Sequence, residues 1–129
     1  MKILIVEDDD GNRLLTYLEL SEEKSWDIIT ASSGQEAMTL FEKEHPDIVT
    51  LDIELPDMNG STVMREMKKN RSEVPIIILT GYDRHPDVSK ADAYITKSLS
   101  CGEELKKTIK KLTSGARGRT GKFSGKRKI

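Results

Sequence analysis

Four short segments of this 129-residue chain carry side chains that could do chemistry together, and each follows an apolar run. Ile3-Leu4-Ile5-Val6 leads into Glu7-Asp8-Asp9-Asp10, and Ile48-Val49-Thr50-Leu51 leads into Asp52. Ile76-Ile77-Ile78-Leu79 leads into Thr80, and Ala93-Tyr94-Ile95-Thr96 into Lys97. Carboxylates brought close together repel one another and ask for a cation. All-oxygen ligands suit a hard ion such as magnesium, which typically takes one or two carboxylates plus waters and phosphate oxygens. A lysine ammonium cannot join the metal, but it can pair with an anion carried by a metal-bound carboxylate. A carboxylate nucleophile, a divalent metal, a lysine and a hydroxyl are the parts needed to move a phosphoryl group onto an aspartate.

Whether these residues meet depends on the elements that carry them. The runs at Ile3–Val6, Ile48–Leu51 and Ile76–Leu79 are continuous rather than alternating, as in strands covered on both faces. Trp26–Ala31 and Ala93–Thr96 read as weaker strands nearer the edges. Between the strands lie helical stripes: Leu14, Leu15 and Leu18; Ala37, Leu40 and Phe41; Val63, Met64 and Met67; Leu105, Ile109 and Leu112. Capping boxes at Ser33-Gly34-Gln35-Glu36 and Ser100-Cys101-Gly102-Glu103 open two of these helices. Core packing is the ordinary role of such stripes and is expected for all four. Between Gly81 and Asp92 only Val88 and Ala91 are apolar, which leaves room for a short fourth helix. The order is strand–helix repeated five times. Right-handed crossovers then predict an α/β fold with a doubly wound, flavodoxin-like, five-stranded parallel sheet in the order 2-1-3-4-5. Ligands bind beyond the carboxyl ends of such strands, so all four segments converge on one edge.

Composition sets outer limits. The length suits one domain large enough to bury a core without staples. A single cysteine, Cys101, excludes an internal disulfide and fits a reducing compartment; it is read as a residue at the start of a helix. The apolar N-terminus runs at once into four acids and is not a signal peptide, and no stretch approaches a membrane span. The protein is expected to be cytoplasmic. From Gly115 onward there are six basic residues and no acid, which leaves 15 basic against 22 acidic residues before it, a net charge of −7. The expected organisation is a compact unit over residues 1–113 and a basic, Gly-rich, disordered tail over 114–129.

The segments Ile3-Leu4-Ile5-Val6-Glu7-Asp8-Asp9 and Pro46-Asp47-Ile48-Val49-Thr50-Leu51-Asp52-Ile53-Glu54-Leu55-Pro56-Asp57-Met58-Asn59-Gly60 resemble the receiver domains of two-component response regulators. Ile78-Leu79-Thr80-Gly81 and Asp92-Ala93-Tyr94-Ile95-Thr96-Lys97 complete a resemblance that covers roughly residues 2 to 112. It implies that Asp52 is the phosphoacceptor and that Asp8, Asp52 and the backbone carbonyl of Glu54 bind Mg2+, with Glu7 holding a metal-bound water. It implies further that Thr80 hydrogen-bonds the phosphoryl group, that Lys97 pairs with its oxygens, and that Tyr94 is an aromatic switch coupled to Thr80. Pro56 and Gly60 would shape the loop after the acceptor strand. The pattern departs from the family at Ser98, where proline usually follows the lysine, and in the brevity of the fourth helix.

The resemblance also implies partners. A histidine kinase or phosphotransfer protein would donate the phosphoryl group, and a downstream protein would read the face built by helix 4, strand 5 and helix 5, as a monomer or a phosphorylation-dependent dimer. Catalysis would extend only to the domain's own phosphorylation and dephosphorylation. Three alternatives compete: a receiver cut from a longer regulator, a haloacid-dehalogenase-type phosphatase using Asp52-Ile53-Glu54, and a nucleic-acid binder acting through the basic tail with Phe123. A solvated tail is the simpler reading of the last. Asp9 and Asp10 are read as helix-dipole acids, His45 as a helix-end residue, and His85 as having no role.

Overall fold

The computed structural model describes residues 1–81, 90–97 and 101–117, with side chains to Ser114. Its elements are β1 (Lys2–Val6), α1 (Asp10–Leu20), β2 (Asp27–Ala31), α2 (Gly34–Glu44), β3 (Ile48–Leu51), α3 (Gly60–Asn70), β4 (Ile76–Thr80), β5 (Ala93–Thr96) and α4 (Cys101–Arg117). The strands form one sheet, all parallel, in the order β2-β1-β3-β4-β5. The two weak runs are indeed the edges. β3 and β4 are buried along their whole length, which is why their sequences are unbroken apolar runs.

Helices cover both faces. On one, Ala37 and Phe41 of α2 and Val63, Met64 and Met67 of α3 pack on Leu4, Val6, Val49, Leu51, Ile76 and Ile78. On the other, Leu20 of α1 and Leu105 and Ile109 of α4 pack on Ile3, Ile5, Ile48, Ile77 and Leu79. Each large apolar side chain so buried stabilises the fold by about 1.5–3 kcal/mol before entropy is counted. The α2 cap forms in part as expected: Ser33 Oγ accepts from the Glu36 N–H at 3.1 Å, but Glu36 reaches back to the Ser32 N–H rather than to that of Ser33. His45 ends α2 in the left-handed region, with φ 51°. Cys101 opens α4, half-buried.

The expectation fails for the first stripe. Leu14, Leu15 and Leu18 are 58%, 48% and 54% exposed, and Tyr17 beside them is 39% exposed. The face of α1 turned to the sheet carries Arg13, Thr16 and Leu20 instead, an i, i+3, i+7 set. Two contacts set that rotation: Leu20 is fully buried under the sheet, and the Arg13 guanidinium donates to the carbonyl oxygens of Glu7 and Asp8 at 3.0 and 3.3 Å. Periodicity shows that a helix has an apolar stripe. It does not show that the stripe faces inward.

α4 runs to Arg117, past the expected boundary at residue 113. The short fourth helix, Ser98 with its peptide bond to Lys97, the capping Ser100, His85 and the basic segment from Gly118 lie outside the described residues. Among the described residues no helix is long and apolar enough to cross a membrane.

Candidate functional site

Backbone ladders continue one residue beyond the strands and so place the site. The Glu7 N–H donates to Ala31 O at 3.0 Å, the Asp52 N–H to Val6 O at 3.0 Å, and the Lys97 N–H to Thr80 O at 2.6 Å. Glu7, Asp52 and Lys97 are thereby held at the carboxyl edge in strand register. Oxygens of Glu7, Asp8 and Asp52 lie within 4.8 Å of one another. Lys97 Nζ sits 2.5 Å from Glu7 Oε1 and 3.3 Å from Asp52 Oδ2. The second oxygens are also engaged: Glu7 Oε2 accepts from the Asp9 N–H and Asp52 Oδ1 from the Glu54 N–H, both at 3.1 Å.

Three carboxylates against one ammonium leave an excess of two negative charges where Glu7 and Asp52 are buried and Asp8 is exposed. Burial pushes the Glu7 carboxyl above its ordinary value, the Asp52 charge adds to this, and the bond from Lys97 only partly offsets it. Burial acts to lower the Lys97 pKa, but its bond to Glu7 and the Asp52 charge prevail and raise it, so the ammonium stays charged. A donor set of carboxylate oxygens with one exposed member and an uncompensated double charge fits a hard divalent cation.

Thr80 is fully buried at the end of β4. Residues 76, 78 and 80 line one face of that strand, and Tyr94 pairs in register with Ile78. Thr80 and Tyr94 therefore share the sheet face covered by α2 and α3, one pleat apart, with Tyr94 half-buried against that cluster. Asp9 and Asp10 stand apart from the carboxylate cluster. Asp9 caps α1 by accepting from the Asn12 N–H at 2.8 Å, and Asp10 pairs with Arg13 at 2.5 Å.

The loop from Ile53 to Asn59 carries Glu54 and Pro56 and is closed at its base. The Gly60 N–H donates to Ile53 O at 2.7 Å, and Glu54 and Asn59 form an antiparallel bridge. A Cβ on Gly60 would lie 2.6 Å from both the Asp52 carbonyl oxygen and Ile53 Cα, so only glycine lets the chain return this close to the end of β3. Two residues of the site region escaped sequence reasoning. Arg13 holds the acidic loop by its carbonyls, and Asp57 reaches the start of α2, 22 and 23 residues back in the chain. The spacing of Asp10 and Arg13 on one helix was the only local sign of the first. The second had none.

Residues 3–110 match the model of the response regulator receiver domain, and the chain belongs to that family. The Bacillus subtilis alkaline phosphatase synthesis transcriptional regulatory protein PhoP is 37% identical over 105 residues, covering 77% of this chain and 43% of PhoP. The probable transcriptional regulator ycf27 of Cyanophora paradoxa is 37% identical over 116 residues, covering 86% of this chain and 47% of that protein. The chain thus spans less than half the length of these curated relatives. The crystal structure of Thermotoga maritima response regulator TrrA in complex with Mg2+-BeF superimposes with a TM-score of 0.80 at 38% identity, covering 86% of this chain and 97% of TrrA. TrrA in a second crystal structure, in complex with the histidine kinase ThkA, gives the same score and identity. Membership of this family displaces the dehalogenase-type phosphatase as a reading, and Asp52 follows the third strand in chain order, not the first.

Proposed function

We propose that this receiver domain takes a phosphoryl group from a histidine kinase or phosphotransfer protein onto Asp52 and signals by a conformational switch to a protein partner. One observation carries the reading: three carboxylates, Asp52 among them, and a lysine converge at the carboxyl edge of the sheet. Asp8, Asp52 and the Glu54 carbonyl would hold Mg2+, and Glu7 a water bound to it. When bound, the ion would supply charge neutralisation for the transferring phosphoryl oxygens. An Asp52 carboxylate oxygen forms the new bond to phosphorus while the phosphorus–nitrogen bond of the donor breaks, and the histidine nitrogen keeps the bonding pair. Lys97 offers its ammonium to the phosphoryl oxygens, and the Thr80 hydroxyl donates a hydrogen bond to one of them. Tyr94, on the same sheet face as Thr80, would respond to that movement.

The functional unit spans residues 1–113 in this reading, with a basic segment behind it, and works in the cytoplasm. The face that carries β5 and α4 would contact the downstream partner. The exposed Leu14, Leu15 and Leu18 lie on the helix that begins directly after the acidic loop. An exposed apolar stripe on that helix suits the docking of the phosphoryl donor. A second reading, a receiver carried by a longer transcriptional regulator, follows from the length of the relatives. The mass of the natural gene product separates the two.

Acetyl phosphate with Mg2+ should add one phosphoryl mass to the wild-type chain and none to Asp52→Ala. The same mass gain in the variant would remove Asp52 from its role.

A further inference from the structure

We propose that Asp57 is a positioning residue for the metal site, fastening the loop that carries Glu54 to the first turn of α2. The inference rests on the reading of the Glu54 carbonyl as a metal ligand. Asp57 Oδ1 accepts from the Gly34 N–H at 2.8 Å, and Oδ2 accepts from the Gln35 N–H at 2.9 Å. These are two of the backbone donors that a helix start leaves without an intrahelical partner. A negative charge there is also favoured by the helix dipole. The two bonds hold the Asp57 carboxyl below its ordinary value, so it is charged at neutral pH.

α2 does not need this carboxylate as its cap. Ser33 already stands at the N-cap with its hydroxyl on the Glu36 N–H, and Glu36 takes the Ser32 N–H. The loop is the element that gains. Its base is closed by the Gly60–Ile53 bond and the Glu54–Asn59 bridge, with Ile53 buried in the core, but beyond Ile53 the residues Glu54, Pro56, Asp57 and Asn59 are exposed, and Leu55 and Met58 are the two that pack against the core. Met58 lies flat on the helix start: a Cβ on Gly34 would sit 2.5 Å from Met58 Cγ. With the Asp57 carboxylate and Met58 both anchored on α2, the peptide after Glu54 is held from its far side. The direction of the Glu54 carbonyl then follows from the position of α2, not from the loop alone.

The test is a calorimetric Mg2+ titration of the full chain as wild type, Asp57→Ala and Ser33→Ala. Asp57→Ala should weaken Mg2+ binding three- to tenfold, yet at saturating Mg2+ its phosphorylation rate with acetyl phosphate should stay within twofold of wild type. Ser33→Ala removes a cap from the same helix and keeps the tether, so its Mg2+ affinity should stay within twofold of wild type. Asp57→Asn, which keeps one acceptor oxygen, should recover part of the loss. Unchanged affinity in Asp57→Ala, or an equal loss in Ser33→Ala, would overturn the positioning role while leaving the metal site intact. Absence of Mg2+ binding by the wild type would instead overturn the site reading on which the role depends.

Discussion

Lys97 faces two carboxylates and serves them unequally: its ammonium is 2.5 Å from Glu7 and 3.3 Å from Asp52. Glu7 therefore takes most of the lysine, and the Asp52 carboxylate is left less neutralised. Burial raises the Glu7 pKa and the Asp52 charge adds to it, against the opposing bonds from Lys97 and the Asp9 N–H. A carboxyl whose pKa rises on folding binds its proton more tightly in the folded chain. Its contribution to stability thus grows as the pH falls from above the raised value toward the unfolded value of 4.5, and is flat below both. The metal-free wild type should gain stability through that window, whereas Glu7→Gln should lack the increment. Urea midpoints measured in EDTA between pH 8 and pH 5 would register it. A variant that gains as much as the wild type would place the titration elsewhere.

At the scale of elements, α1 is the helix whose sequence and setting disagree. Three leucines at helical spacing face outward, while an arginine, a threonine and one leucine face the sheet. Exposed side chains of this kind contribute little to the fold, so Leu14→Lys and Leu18→Lys should change unfolding free energy by no more than about 0.5 kcal/mol. If the patch receives the phosphoryl donor, each variant should slow phosphotransfer at least fivefold from whichever histidine kinase phosphorylates the wild type. Phosphorylation by acetyl phosphate, which needs no docking surface, should be unchanged. Equal rates with the kinase would assign the patch to another contact. The other helices behave as their stripes predict: Val63, Met64, Met67, Phe41, Leu105 and Ile109 are all buried. Those helices bury their stripes on the sheet, whereas on α1 the buried Leu20 and the bonds from Arg13 accompany leucines that face outward.

For the whole molecule, if the acids gathered at one sheet edge hold Mg2+, folding and metal binding are linked equilibria. A ligand that binds only the folded state stabilises it by RT ln(1 + [L]/Kd), about 2.7 kcal/mol at a Mg2+ concentration one hundred times Kd. Mg2+ should therefore raise the unfolding midpoint, and EDTA should reverse the rise. Asp8→Ala should lose most of the increment. Asp8 is exposed, so its removal costs no core packing, and the loss of one charge from the cluster should leave the metal-free protein as stable as wild type or more so. A full Mg2+ response in this variant would exclude Asp8 as a ligand.

Most of the architecture was legible because it follows from short-range patterns and a few topological rules. Short, β-branched continuous runs such as Ile76–Leu79 fit strands buried on both faces, and parallel order with right-handed crossovers then brings Glu7, Asp8, Asp52 and Lys97 to one edge. Which of those groups would touch was a different matter. The preference of Lys97 for Glu7, the hold of Arg13 on the acidic loop, the outward leucines of α1 and the tether from Asp57 to α2 all depend on how packed elements are rotated against one another. That rotation is decided by side-chain packing and hydrogen bonds between segments distant in the chain, such as Lys97 and Glu7, 90 residues apart. Local periodicity carries no information about such pairs, so only the tertiary structure could decide them.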